Sequence, residues 1–430
     1  MFQKRSWQEE LEIVDRTMRS ISGITDPDRL VQEYWDGVGE LWPISDYLAL
    51  SRRGVEAPKF LITRSSRFTE HYNPWTQREK LPVMQGGLLG EIAFADRPVV
   101  VRDLEKRLSR DDPGWFYLQG YHSLVALPQY EDGKGLNIGL SLLGPGEEFD
   151  ERMLPMMHWQ AGLFGRGTQN LVLRNQLGAA LAELDREIQA VGEIQRSLLP
   201  TELPRIAGFD IAAFYQTSAR AGGDYYDFFP IGEREWGLFI ADVSGHGTPA
   251  AVLMAITHAI AHTRPGSPKP AGELLAHLNT HLANSYASSG SFVTAFYATL
   301  DPVSGRLSYS SAGHNPPRLL RKGHIESLEN AGGLPLGILD DQRYPEATAE
   351  LSPGDTLLLY TDGITEAMAP ATSGGSRPLY GVSRLDELLM KNRGAAAGTL
   401  IGQIRSGVEA FRAGAAPTDD QTLVAIVRTE

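Results

Sequence analysis

The chain has 430 residues, no cysteine and a net charge of −13, with an isoelectric point near 5.3. That length supports two or three domains with separate cores, the acidic balance argues against nucleic acid as a partner, and the missing thiols exclude disulfides and thiolate metal sites. No apolar run approaches the roughly 20 residues of a membrane span, and Met1-Phe2-Gln3-Lys4-Arg5 lacks a signal-peptide apolar region, so the expectation is a cytoplasmic protein without membrane contact.

Residues 7–22 predict a helix, with Leu11, Val14, Met18 and Ile21 at three- and four-residue spacing. Thr25-Asp26-Pro27 restarts a helix with Leu30, Val31 and Tyr34 on its apolar face. From about Trp42 to Phe164 short strands alternate with helices, at Tyr47 to Ser51, Lys59 to Thr63, Pro98 to Val101, Ser123 to Pro128 and Leu136 to Leu143. The last two are joined across Glu131-Asp132-Gly133-Lys134-Gly135, which reads as a hairpin turn. A helix is expected from about Asp150 to Gly165. This arrangement resembles a GAF domain, which implies an antiparallel sheet carrying helices and a small-molecule or dimer surface. Without cysteine it cannot attach a bilin by thioether. His71, His122 and His158 read as ordinary surface or core histidines, and Trp75, Trp115, Phe116 and Tyr117 as core residues or the wall of a pocket.

Leu177, Leu181, Leu184, Ile188 and Val191 recur at alternating spacings of four and three, and Leu198 follows one heptad later. Such a seam predicts a dimerising coiled-coil helix of about three heptads, with one amphipathic helix packed on its own domain as the alternative. Pro200 and Pro204 end it. The expected organisation is an N-terminal helix over 1–24, a GAF-like sensory domain over 25–167, a linker helix over 168–199 and a catalytic domain over 200–430.

In that last segment strands are expected at Ile211 to Tyr215, Tyr225 to Pro230, Trp236 to Ala241, Phe292 to Leu300, Arg306 to Ser310, Arg318 to Leu320, Asp355 to Tyr360 and Leu423 to Val427, with helices at 248–263, 270–287 and 398–413. Segregated strands and helices predict an α+β fold, a two-sheet antiparallel sandwich with helices outside. Acids recur at the strand ends. Asp242 ends an apolar strand, and Gly245 and Gly247 allow an amide-rich turn before Thr248-Pro249, read as an N-cap and a proline at the first helical position. Asp224 opens an aromatic strand, Asp362 follows Tyr360-Thr361, and Asp419-Asp420 precede the last strand. One such Asp alone is a turn former or helix cap. Four in one domain suit a hard ion such as Mg²⁺ or Mn²⁺ better than zinc, and two ions about 3.5–4 Å apart would activate water for in-line attack on phosphorus.

The ordered motifs GGDYYD, ADVSGHGTPAA, SSAGHNPP, YTDGITEA and DDQTLVAI, spread between Ile194 and Val427, resemble the metal-dependent protein phosphatase (PPM, type 2C) superfamily in its bacterial SpoIIE/RsbU-like branch. The resemblance implies an α-β-β-α sandwich with two Mn²⁺ or Mg²⁺ ions between the sheet ends. It places the bridging ligand at Asp242, a carbonyl ligand at Val243, and further metal-site acids at Asp224, Asp362 and Asp419, with Asp420 ranked after them because many relatives carry Asn there. Asp242 and Asp224 are thus the expected catalytic residues. Where the eukaryotic branch carries a general-acid His, this chain has Ser244, and His246 lies two residues on. Arg220 is a spacing-based candidate for gripping phosphate, and His314 is a family feature that suits a structural turn at least as well as chemistry.

The function implied is hydrolysis of phosphoserine or phosphothreonine on a protein, with a STAS-type anti-anti-sigma factor in a partner-switching pathway as the substrate class. Two alternatives stay open: a silent phosphoprotein-binding scaffold, and a phosphatase of small phosphorylated metabolites. The order of parts also implies a homodimer through the linker, controlled from the GAF-like end.

Overall fold

The computed structural model describes residues 6–41, 46–264, 270–286, 290–370 and 377–430. Met1 to Arg5, Trp42 and Ala287, which the expectations above touch, lie outside the described residues. The chain divides into two compact units, Met1–Leu181 and Ala182–Glu430. No described helix is long and apolar enough to cross a membrane.

The first unit opens with α1 (Trp7–Ser22), begun by a capping box in which Ser6 and Glu9 satisfy each other's backbone N–H, and α2 (Pro27–Leu41). Its strands are β1 (Asp46–Ser51), β2 (Lys59–Ser65), β3 (Val83–Gln85), β4 (Val99–Val101), β5 (Ser123–Glu131) and β6 (Lys134–Leu143). They form an antiparallel sheet in the order β3-β2-β1-β6-β5-β4. At the β5–β6 hairpin Glu131 pairs with Lys134, leaving Asp132 and Gly133 as a two-residue turn at φ 49° and 76°. Both are left-handed, as an Asp-Gly type I′ turn requires. Alternation along β1 buries Leu48 and Leu50 against α3 (Gly87–Ala93), α4 (Leu104–Arg107) and α5 (Trp115–Leu118).

After β6 comes α6 (Leu154–Ser197), 44 residues long. The sequence suggests two helices with a break after Gly165, but the helix runs on. A Cβ at Gly165 would lie 2.8 Å from the Gln129 side chain, so the glycine admits a strand residue against the helix rather than ending it. Along α6, Leu177, Leu181 and Leu184 are 61%, 58% and 52% exposed, whereas Ile188, Val191 and Leu198 are half-buried, so the first half of the predicted seam is the exposed part.

The second unit has the strands β7 (Phe209–Gln216), β8 (Tyr225–Ile231), β9 (Glu235–Val243), β10 (Val293–Leu300), β11 (Arg306–Ala312), β12 (Arg318–Arg321), β13 (His324–Ser327), β14 (Ala347–Glu350), β15 (Thr356–Tyr360) and β16 (Gln421–Arg428). Its helices after α6 are α7 (Thr248–Thr263), α8 (Ala271–Tyr286), α9 (Asp362–Thr365), α10 (Gly381–Lys391) and α11 (Ala397–Arg412). Two antiparallel sheets result, β14-β11-β10-β9-β8 and β13-β12-β15-β16-β7. Leu357, Leu359, Val424 and Ile426 point into the core shared with the first sheet and with α7 and α8. The intervening Leu358, Tyr360, Leu423 and Ala425 face the core under α10 and α11. Strands buried on both faces give continuous apolar runs, and each fully buried Leu or Ile contributes about 1.5–3 kcal/mol. The fold is therefore α+β, with an α-β-β-α layering around two antiparallel sheets. β16, the last strand of the unit, lies between β15 and β7 rather than at an edge.

Candidate metal centre and active site

Pairing within each sheet brings the acidic strand ends together. Tyr225 pairs with Ala241, so Asp224 and Asp242 lie at the same end of the first sheet. Tyr360 pairs with Leu423, which places Asp362 and Asp419 at one end of the second. Hydroxyls join the two pairs, because Asp224 Oδ2 accepts from Thr361 Oγ1 at 2.7 Å and from Thr422 Oγ1 at 2.6 Å. Thr361 and Thr422 are held in turn, since Thr422 N donates to Thr361 Oγ1 at 2.9 Å and Thr361 N to Thr422 O at 3.1 Å.

The electrostatics are those of crowded carboxylates with little counter-charge. Burial, then the neighbouring Asp242, push the Asp224 carboxyl well above its usual range. Burial and the charges of Asp362, Asp419 and Asp420 push Asp242 up to about 8, an effect a hydrogen bond with Asp224 partly offsets. Burial and Asp419 push Asp362 up to about 6. Asp419 is also raised by burial, while His246 nearby pulls the other way. Among the described residues no Lys or Arg pairs with these four acids. Mutual repulsion of this kind is relieved by a bound cation or by protons. Oxygen donors alone, with the Val243 carbonyl at the end of β9, suit a hard divalent ion.

The other candidates have defined places. Asp420 is 2% exposed, and its oxygens accept from Ser218 N and Gly223 N, both at 2.7 Å. It pins the loop that leads into Asp224. Ser244 N donates to Phe292 O and Phe292 N to Ser244 Oγ, both at 2.9 Å, so the residue standing in the eukaryotic histidine's place is a backbone clamp. His246 is exposed beside Asp419. His314 is buried, its Nδ1 lies 2.9 Å from Thr294 Oγ1, and burial pushes it down to about 4, which keeps the ring neutral. Thr294 is the register partner of Asp242 on β10, so His314 buttresses the strand from behind. Arg220 turns its guanidinium to Asp185 through two hydrogen bonds of 3.1 Å. The helix after the glycine turn is capped one residue earlier than expected. Gly247 is the N-cap and offers no side-chain acceptor, so Thr248 is already helical and the first-turn amides stay open.

Close approach makes Gly363 a test of this geometry. A Cβ there would stand 1.9 Å from the Asp420 carbonyl oxygen and 3.2 Å from the Asp419 carbonyl carbon, both backbone atoms. Gly363→Ala is expected to push the Asp419–Asp420 segment away from Asp362, weakening Mn²⁺ binding at least about tenfold and costing about 1–3 kcal/mol of stability. Gly402→Ala on the exposed face of α11, where nothing lies within 4 Å, should leave both unchanged or gain slightly from helix propensity. Calorimetric Mn²⁺ titration and thermal melts of the two variants check this.

The first unit holds a cavity of about 320 Å³ whose walls include Trp35, Ser51, Arg53, Arg64, Trp75 and Arg78. Arg64 pairs with Asp28 and lies over the Trp75 ring at 5.6 Å. Its Nη1, with Arg53 Nε and Arg78 Nη2, is buried and lacks a hydrogen-bond partner. Trp75 therefore lines a pocket, whereas Tyr117 belongs to the core and Phe116 is 55% exposed. His71 lies 2.6 Å from Asp28, and His158 packs edge-on to Tyr130.

Comparison with known proteins supports the reading of the second unit. Residues 232–429 match the family model described as stage II sporulation protein E (SpoIIE). The phosphoserine phosphatase RsbU of Bacillus subtilis (strain 168) is 32% identical over 186 residues, covering 43% of this chain and 55% of that protein. The phosphoserine phosphatase RsbP of the same organism is 30% identical over 188 residues, covering 43% and 46%. The chain thus spans about half the length of these curated relatives. Among solved structures, the SiaA PP2C domain of Pseudomonas aeruginosa superposes with a TM-score of 0.50 at 19% identity, covering 59% of this chain and 99% of that one. That likeness is one of fold.

Proposed function

We propose, on the premise that residues 232–429 form a SpoIIE-family phosphatase domain, that this chain hydrolyses phosphoserine or phosphothreonine on a regulatory protein. The observation that carries the reading is the convergence of Asp224, Asp242, Asp362 and Asp419, raised by burial and by neighbouring carboxylates and, among the described residues, paired with no Lys or Arg. Two Mn²⁺ or Mg²⁺ ions would be held there, with Asp242 shared between them and Val243 lending its carbonyl. When bound, such ions supply Lewis acidity for water and for the phosphoryl oxygens. The chain's part is to fix the ligands: Thr361 and Thr422 aim one oxygen of Asp224, and Asp420 holds the loop before it. With Arg220 engaged by Asp185, phosphate binding rests on the cations. A STAS-type anti-anti-sigma factor is the proposed substrate class.

The test compares phosphate release, with and without Mn²⁺, from a phosphoserine-bearing STAS protein, p-nitrophenyl phosphate and free phosphoserine. Mn²⁺-dependent turnover of the phosphoprotein well above free phosphoserine is expected. Equal turnover of free phosphoserine would favour a metabolite phosphatase, and binding without turnover a silent scaffold.

Control is proposed to run through a parallel homodimer joined at residues 177–198, with a small anionic ligand in the arginine-lined cavity as the input. Exposed Leu177, Leu181 and Leu184 support the seam, and the unpartnered guanidinium N–H groups support the ligand class. An input that bound both states equally would shift nothing. Inserting three or four residues near Glu187 is expected to alter dimerisation and phosphatase rate, while seven nearly restores the seam. Sedimentation and rate measurements on the three insertions check this, and three unchanged proteins would make the helix a passive tether.

A further inference from the structure

We propose that Asp227, His258 and His262 form a second metal site, apart from the phosphatase acids, that takes a borderline transition ion of the Zn²⁺ or Co²⁺ type. His258 and His262 are four residues apart on α7 and so share one face, with ring centroids 4.2 Å apart. Asp227, on β8, lies beneath them, with Oδ2 at 2.6 Å from His262 Nε2. One donor atom from each residue lies within 4.8 Å of the other two. Side-chain rotations within that distance close such a triangle around an ion whose ligand bonds are about 2.0–2.2 Å.

The surroundings resemble the outer partners that orient metal ligands. Tyr225 donates its hydroxyl to Asp227 Oδ2 at 2.5 Å, and Phe228 N donates to Oδ1 at 2.7 Å, so the carboxylate is fixed before any ion arrives. The rings of Tyr225 and Phe229, 5.6 Å from His258 and 5.0 Å from His262, wall the site with apolar surface. Burial and the second imidazole hold His258 below its ordinary value, leaving a neutral ring with a lone pair to give. Two imidazoles and one carboxylate select Zn²⁺, Co²⁺ or Ni²⁺ over the Mg²⁺ and Mn²⁺ that all-oxygen sites prefer. Three protein ligands leave a position for water or a further donor. A second pair on α8, His277 and His281, has similar ring spacing at 4.5 Å. Among the described residues no carboxylate gathers with that pair, and the charge of Arg264 opposes a cation there.

Occupancy would tie α7 to β8. β8 begins immediately after Asp224, and α7 begins five residues after Val243, with His258 about 15 Å along the helix from Thr248. The ion would thus tie β8, which starts next to Asp224, to α7, which starts a short turn after Val243, without entering the phosphatase site.

The experiment uses the full chain, stripped with chelator and returned to excess Mg²⁺ to fill the acid site. Zn²⁺ is titrated calorimetrically, and Co²⁺ is followed by its visible absorption, which is intense only for tetrahedral coordination. One Zn²⁺ per chain is expected, weakened at least about tenfold in both His258→Gln and His262→Gln, with the Co²⁺ band lost. Asp242→Asn should retain both signals. Absence of Zn²⁺ binding to the wild-type chain overturns the proposal, as does a Zn²⁺ affinity unchanged in His262→Gln or lost only in Asp242→Asn. His262 is the more exposed of the pair, and thermal melts of both histidine variants separate ligand loss from misfolding.

Discussion

Asp242→Asn is expected to lower Mn²⁺-dependent phosphatase activity by at least about 10³-fold, equivalent to about 4 kcal/mol of transition-state stabilisation. Amide for carboxylate keeps the shape and hydrogen bonding of the strand end but removes the charge proposed to be shared between two cations. Phosphate monoesters hydrolyse so slowly without a catalyst that little background activity can mask the loss. Because Thr294, across from Asp242 on β10, and His314 behind it are untouched, the variant should fold. Phosphate release by the purified variant, with metal content measured in parallel, checks this. Retention of more than a few per cent of activity would remove Asp242 from the bridging role.

The same substitution is expected to have the opposite effect on the metal-free protein at alkaline pH. The folded state holds the Asp242 proton up to about pH 8 and that of Asp362 up to about 6, whereas the unfolded chain releases both near 4. Between those values the folded state binds more protons than the unfolded state. Stability due to these groups is therefore fully present below about pH 4 and is lost as pH rises towards 8. In chelator-treated protein, wild type and Asp242→Asn should melt together near pH 5. Near pH 8 wild type should melt lower, by ~2 kcal/mol or about 5 °C. Saturating Mn²⁺ should reverse the order, since only the wild type keeps the full ligand set. Melting curves at both pH values, with and without Mn²⁺, check the sign, and identical pH dependence of the two proteins would contradict the crowding of charges at this site.

Much of this arrangement was legible in the sequence because local chemistry dictated it. Asp132-Gly133 forms the hairpin turn its residues demand, and Pro27 opens α2. The apolar runs at Trp236 to Ala241 and Leu423 to Val427 are interior strands. What stayed hidden depended on partners far away in the chain. Nothing in Thr422 or Thr361 announces that both hydroxyls serve Asp224, 198 and 137 residues away. Asp420 looks like a spare ligand until its carboxylate is found holding Ser218 and Gly223. β14 reads Ala-Thr-Ala-Glu with only partial burial, so its alternation was too weak to show. His258 and His262 have a helical spacing visible in sequence, but their acid comes from a strand 31 residues before His258.

The placement of β16 bears on the order of events during synthesis. This strand, the last of the unit in chain order, fills the slot between β15 and β7, the latter being the unit's first strand. Until it arrives, both neighbours present an open hydrogen-bonding edge, and Asp224 lacks the hydroxyl of Thr422. A nascent chain is therefore held back from a complete acid cluster until translation of the unit is all but finished. Such long-range closure makes folding slow and leaves the waiting edges open to pairing with other chains. A polypeptide ending before Asp419 would lack that acid and the Thr422 hydroxyl, and with them a complete acid cluster.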